Sequence, residues 1–122
     1  MSKTILAIDD SPSVRQMVSL TLSSAGYTVV EACDGADGYN KAIGNRIDAV
    51  LTDLNMPGMN GLDFIRKYRS HPSSAGVPIV FLTTESDEGL KRQAREAGAT
   101  GWIVKPFKQD QLLAVVRKVA GA

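Results

Sequence analysis

The chain has 122 residues, 43% of them hydrophobic, and a formal net charge of +1 from fourteen Lys+Arg against thirteen Asp+Glu. That length suits one compact domain over residues 1–122 with no room for a second, and the balanced charge supplies neither the basic field that gathers nucleic acid nor an acidic tail. Only four apolar residues follow Met1-Ser2-Lys3-Thr4 before Asp9, too few for a signal sequence or a membrane span, so a cytoplasmic protein without a membrane or nucleic-acid partner is expected.

Ile5–Ile8 opens the chain as a continuous apolar run, the pattern of a parallel strand covered on both faces. Val14, Met17, Val18, Thr21, Leu22 and Ala25 then recur at helical spacing, with Ser11 as N-cap, Pro12 in the first turn and Gly26 as the stop. Val29–Val30 forms a second run. Cys33, the single cysteine, cannot form an internal disulfide and has no metal-ligand spacing around it, so it reads as a small buried apolar residue in a reducing setting. Asp34 starts a helix carrying Ala36, Tyr39 and Ile43; Ala49–Leu51 is the third run; Asn60 caps a helix carrying Leu62, Ile65 and Tyr68. His71–Gly76, with Pro72 and two serines, reads as a mobile surface loop in which the single histidine is solvated and has no chemical role. The runs Ile79–Leu82 and Trp102–Val104 flank a helix capped by Asp87, carrying Leu90, Ala94 and Ala97 and ending at Gly98. Leu112, Leu113, Val116, Val119 and Ala120 form the last helical pattern. The order is (βα)₅, an α/β fold with right-handed crossovers and a doubly wound, parallel, five-stranded sheet.

In such a sheet, sites form beyond the carboxyl ends of the strands. The residues just past the runs are Asp9 and Asp10, Asp53, Thr83 and Lys105. Separately they have bland readings: helix-start acids, a turn residue, a loop cap, a surface charge. Converging on one edge, they read as one site. Three adjacent carboxylates repel one another unless cations compensate, and their hard oxygens favour Mg²⁺. Lys105 adds a point charge and Thr83 a hydroxyl, so a tetrahedral phosphoryl group fits between metal, ammonium and hydroxyl. Asp53 is then the nucleophile, forming an aspartyl phosphate, while Asp9 and Asp10 hold the metal.

Ile8-Asp9-Asp10-Ser11, Thr52 through Gly61, Leu82-Thr83-Thr84 and Val104-Lys105-Pro106-Phe107 together resemble the receiver domains of two-component response regulators, over essentially the whole chain. The resemblance implies a flavodoxin-like strand order 2-1-3-4-5 and Asp53 as phosphoacceptor. It also implies Mg²⁺ on Asp9, Asp10, Asp53 and the main-chain carbonyl of Asn55, with Thr83 and Lys105 on the phosphoryl oxygens and a cis bond before Pro106. A phosphoacceptor switch with slow self-dephosphorylation is implied, not an enzyme, and it is most similar to the stand-alone chemotaxis kind. A sensor histidine kinase would supply the phosphoryl group. An effector such as a flagellar motor component would read a monomer through the fourth helix, fifth strand and fifth helix, around Lys91, Arg95, Trp102 and Lys108. Thr83 and Trp102 would be the switch pair, with Trp102 where Tyr or Phe is commoner and Thr84 where the family usually has Ala. A phosphorelay intermediate or phosphate sink would use the same site. A Mg²⁺-dependent phosphohydrolase is disfavoured, because neither Leu54 nor Asn55 supplies a second acid and no insertion is long enough for a lid.

Overall fold

The computed structural model describes residues 2–121. Five strands alternate with five helices: β1 (Thr4–Ile8), α1 (Pro12–Ser24), β2 (Thr28–Ala32), α2 (Gly35–Gly44), β3 (Ala49–Thr52), α3 (Gly61–Arg69), β4 (Ile79–Thr83), α4 (Glu88–Ala97), β5 (Gly101–Val104) and α5 (Gln109–Ala120). All pairings are parallel, in the order β2-β1-β3-β4-β5. The chain therefore reverses its winding between β1 and β3, which opens a crevice at their carboxyl ends.

The continuous apolar runs are explained by two covered faces. Side chains alternate across a strand, so Leu6, Ile8, Val50, Ile79 and Phe81 pack with Ala42, Phe64, Ile65, Tyr68 and Ala94 on the side of α2, α3 and α4. Ile5, Ala7, Ala49, Leu51, Val80, Leu82 and Ile103 pack with Val18, Leu22, Leu112 and Val116 on the side of α1 and α5. Each fully buried Leu, Ile or Phe contributes about 1.5–3 kcal/mol relative to an exposed one. This is the stiffness that holds the strand ends in place.

Four expected N-caps are formed. Ser11 accepts from the Val14 amide, Asp34 from Asp37, Asn60 from Asp63 and Asp87 from Leu90, satisfying donors that the first helical turn leaves open. Gly98 closes α4 in the left-handed region at φ 110°, a conformation that favours glycine. The bond between Lys105 and Pro106 is cis.

Four readings need correction. Cys33 is exposed: it follows the edge strand β2 in a loop that nothing covers, its amide donating to Asp37 Oδ2 at 3.1 Å. In α2 the buried residues are Gly35, Gly38 and Ala42, while Ala36 and Ile43 face outward. The helix lies so close to β1 that a Cβ on Gly38 would collide with Ile8. β2 extends to Thr28 and Ala32 on either side of its two valines, since an edge strand tolerates polar residues that a central one does not. Finally, Pro72–Ser74 forms a 3₁₀ turn within the expected loop. His71 caps it, its Nδ1 accepting from the Ser73 amide at 3.1 Å, and Arg69 donates to the Ser74 carbonyl at 2.7 Å. His71 thus has a structural role, half-buried against Tyr39, and belongs to no site.

Candidate functional site

Register explains how the acidic residues meet. Ile8 pairs with both Ala32 and Thr52, so Asp9 and Asp53 leave adjacent central strands at the same level. Asp10 follows into the turn before α1. One carboxylate oxygen from each of Asp9, Asp10 and Asp53 lies within 4.8 Å of the others. Asp9 and Asp53 are only 4% and 9% exposed, whereas Asp10 is open to solvent. Three carboxylates of graded depth, all oxygen donors, fit a hard divalent cation.

Lys105 reaches this cluster from the end of β5. Its Nζ lies 2.8 Å from Asp9 Oδ2 and 3.5 Å from Asp53 Oδ2, so one ammonium spans both buried carboxylates. Each oxygen of Asp9 has one partner: Oδ1 accepts from the Ser11 amide at 2.9 Å and Oδ2 from Lys105, which leaves lone pairs for a cation. In Asp53, Oδ1 accepts from the Leu54 amide at 2.8 Å and Oδ2 has the longer approach of Lys105. Burial pushes the Asp53 carboxyl above the usual carboxylate range, Lys105 opposes that rise, Asp9 adds to it, and the Leu54 and Asn55 amides pull it down. Its cramped setting extends to the backbone, where a Cβ on Gly61 would strike the Asp53 carbonyl and the Phe81 ring at 2.5 Å. Glycine at that position lets α3 begin directly behind the site.

Thr83 ends β4 fully buried, and its hydroxyl accepts from the Glu85 amide at 3.2 Å. Among the described residues that hydroxyl makes no hydrogen bond to Asp53 or Lys105, although the Lys105 amide donates to the Thr83 carbonyl at 2.8 Å. Asn55 sits on the exposed loop two residues beyond Asp53. Trp102 is half-buried on β5, its ring 5.6 Å from that of Phe81 and its indole Nε1 donating to the Glu85 carbonyl at 2.9 Å. Two contributors had no signal in the sequence. One is Glu85, which acts through its backbone. The other is Arg15, whose NH1 donates to the Asp9 carbonyl at 2.7 Å.

An acidic triad at the β1/β3 crevice, with a lysine directly before a cis proline, is a specific arrangement. The response regulator receiver domain model matches residues 5–117. The chain belongs to that family. Chemotaxis protein CheY1 of Helicobacter pylori is 40% identical over 119 residues, spanning 96% of both chains. The DNA-binding response regulator MtrA of Mycolicibacterium smegmatis is 38% identical over 96% of this chain but only 50% of its own length; the receiver therefore spans about half of some relatives and nearly all of others. Among solved structures, Vibrio cholerae CheY4 superposes with a TM-score of 0.95 at 43% identity, covering 98% of this receiver and 99% of that chain. The receiver domain of the sensor histidine kinase PA1611 from Pseudomonas aeruginosa, with a magnesium ion coordinated in its active-site cleft, superposes at 0.90 and 29% identity, covering 100% of both chains. Receiver domains are phosphoacceptor switches of two-component systems and work with histidine kinases. No described helix of this one is long and apolar enough to cross a membrane.

Proposed function

We propose that this receiver accepts a phosphoryl group on Asp53 from a phosphohistidine of a sensor kinase and presents the resulting state to a partner protein. The observation that carries this reading is the placement of Lys105, whose ammonium lies between the buried carboxylates of Asp9 and Asp53. An ammonium there draws an incoming phosphoryl oxygen toward Asp53. An Asp53 oxygen attacks phosphorus, the P–N bond to the donor imidazole breaks, and the imidazole leaves with the electron pair. Asp9, Asp10, Asp53 and the Asn55 carbonyl would hold Mg²⁺ in this reading, and the ion would neutralise charge that gathers on the transferred group. The magnesium ion in the PA1611 receiver and the three converging oxygens here support it.

Thr83 donates its hydroxyl to the bound phosphoryl group, and Trp102 carries the change to the surface of α4, β5 and α5, where it shares a hollow with Lys91 and Arg95 and where Lys108 precedes α5. Coverage of nearly the whole of CheY1 and CheY4 supports a stand-alone switch, and the reading extends to a monomeric, cytoplasmic protein of chemotaxis with an effector such as a flagellar motor component. It acts as a phosphoacceptor with slow self-dephosphorylation. The test is transfer of radiolabelled phosphate from a phosphorylated histidine kinase. Label should reach the wild-type chain and not Asp53→Asn, and the labelled protein should retain a motor component that the unlabelled one releases. Return of the label to a histidine-phosphotransfer protein without effector capture would instead indicate a phosphorelay intermediate, and decay without either a phosphate sink.

A further inference from the structure

All of Asp9's polar groups are occupied. Its amide donates to the Ala32 carbonyl at 3.1 Å, its carboxylate accepts from Ser11 and Lys105, and its carbonyl accepts from Arg15 NH1 at 2.7 Å, the shortest contact of the set. Asp10 differs. Its carboxylate is exposed, and among the described residues no hydrogen bond or ion pair restrains it. Where that carboxylate points depends on its backbone, and the peptide plane entering Asp10 carries the Asp9 carbonyl that Arg15 grips.

We infer that Arg15 is a positioning residue for the divalent-cation site: by holding the Asp9 carbonyl, it fixes the Asp9–Asp10 peptide so that the Asp10 carboxylate meets those of Asp9 and Asp53. This rests on the reading that the triad binds Mg²⁺. Arg15 is itself braced, its Nε donating to Glu31 Oε1 on β2 at 3.2 Å, with its side chain 19% exposed. The planar guanidinium therefore spans two points at once, a fork that a lysine does not reproduce.

Positioning and charge make opposite predictions for loss of Arg15. A cation near a cation site weakens metal binding, so if charge dominated, its removal would tighten Mg²⁺. Loss of a group that orients a ligand weakens it, typically by roughly 10–100-fold. Calorimetric titration of the full chain with magnesium chloride distinguishes these outcomes, together with melting curves in EDTA. Arg15→Met is expected to bind Mg²⁺ about tenfold more weakly, Arg15→Lys at an intermediate strength, and Glu31→Gln, which keeps an acceptor for Arg15, close to wild type. At saturating Mg²⁺ the labelling rate of Arg15→Met with acetyl phosphate should return to the wild-type rate, a recovery that general damage to the fold would not allow. A folded Arg15→Met that binds Mg²⁺ as tightly as wild type, or more tightly, overturns the inference. If Arg15→Met does not fold, wild-type affinity in Arg15→Lys overturns it equally. A wild-type chain that binds no Mg²⁺ overturns the metal reading itself, and this inference with it.

Discussion

The indole Nε1 of Trp102 donates to the Glu85 carbonyl at 2.9 Å. The amide of the same Glu85 donates to the Thr83 hydroxyl at 3.2 Å, so a single residue of the β4–α4 loop joins the buried end of β4 to the aromatic ring on β5. In the proposed switch, drawing the Thr83 hydroxyl toward a phosphoryl group would release the Glu85 amide and loosen the residue whose carbonyl holds the indole. Charge-assisted bonds to the phosphoryl oxygens supply the few kcal/mol that such a population shift needs.

Trp102 is the only tryptophan, so its fluorescence reports on this link directly. Beryllofluoride or phosphorylation should change emission or quencher access, and Thr83→Ala should abolish the change while Asp53 is still labelled. Identical emission and quenching in fully phosphorylated protein would reduce Trp102 to a packing residue against Phe81.

Lys105→Met removes the one cation between Asp9 and Asp53. Breaking a buried pair costs about 3–5 kcal/mol and an exposed one about 0–1; the Lys105 side chain is 15% exposed and that of Asp9 6%, which places the expected loss near 2 kcal/mol. Chemical denaturation measures it. Mg²⁺ should restore part of the lost stability by neutralising the same carboxylates, and an unchanged denaturation midpoint without metal would show that Lys105 is not what balances them.

Asp53 sets a pH dependence of definite sign. Its folded carboxyl sits above the ordinary value because burial disfavours the charged form, so between the unfolded and folded pKa values the native state binds more protons than the unfolded one. Stability from this group is full below the unfolded pKa and is lost as pH rises through the folded one. Without metal, Asp53→Asn should therefore be more stable than wild type at neutral pH, with the gap closing as pH is lowered. Melting curves across the acid range would show it; a gap that is absent or widens on acidification contradicts the assignment.

Asp9, Thr83 and Lys105 were legible in the sequence because each directly follows a continuous apolar run, and Asp53 because it follows one with only Thr52 between; a parallel sheet brings those ends to one edge. The inner face of α2 was not, because Gly35 and Gly38 pack by having no side chain and so leave no apolar signal. Exposure of Cys33 depends on β2 lying at the sheet edge, a property of strand order that cysteine chemistry does not encode. Glu85 and Arg15 escaped notice because the atoms that matter are a loop's amide and carbonyl and the Asp9 carbonyl. Backbone partners carry no residue-type pattern.

Thr84 follows Thr83 and is exposed, where its bulk and hydroxyl would restrict the approach of water to a phosphoryl group on Asp53. Thr84→Ala should shorten the lifetime of the phosphorylated state several-fold with little change in stability, as expected for a surface substitution. Decay of radiolabelled protein measures this, and equal lifetimes would remove Thr84 from the account.

Mass spectrometry of the intact chain and its peptides after treatment with acetyl phosphate tests the central claim most directly. The account predicts one labile phosphate on Asp53 when Mg²⁺ is present, little in EDTA, and none in Asp53→Asn. Labelling that persists in Asp53→Asn, or proceeds equally well in EDTA, would contradict it.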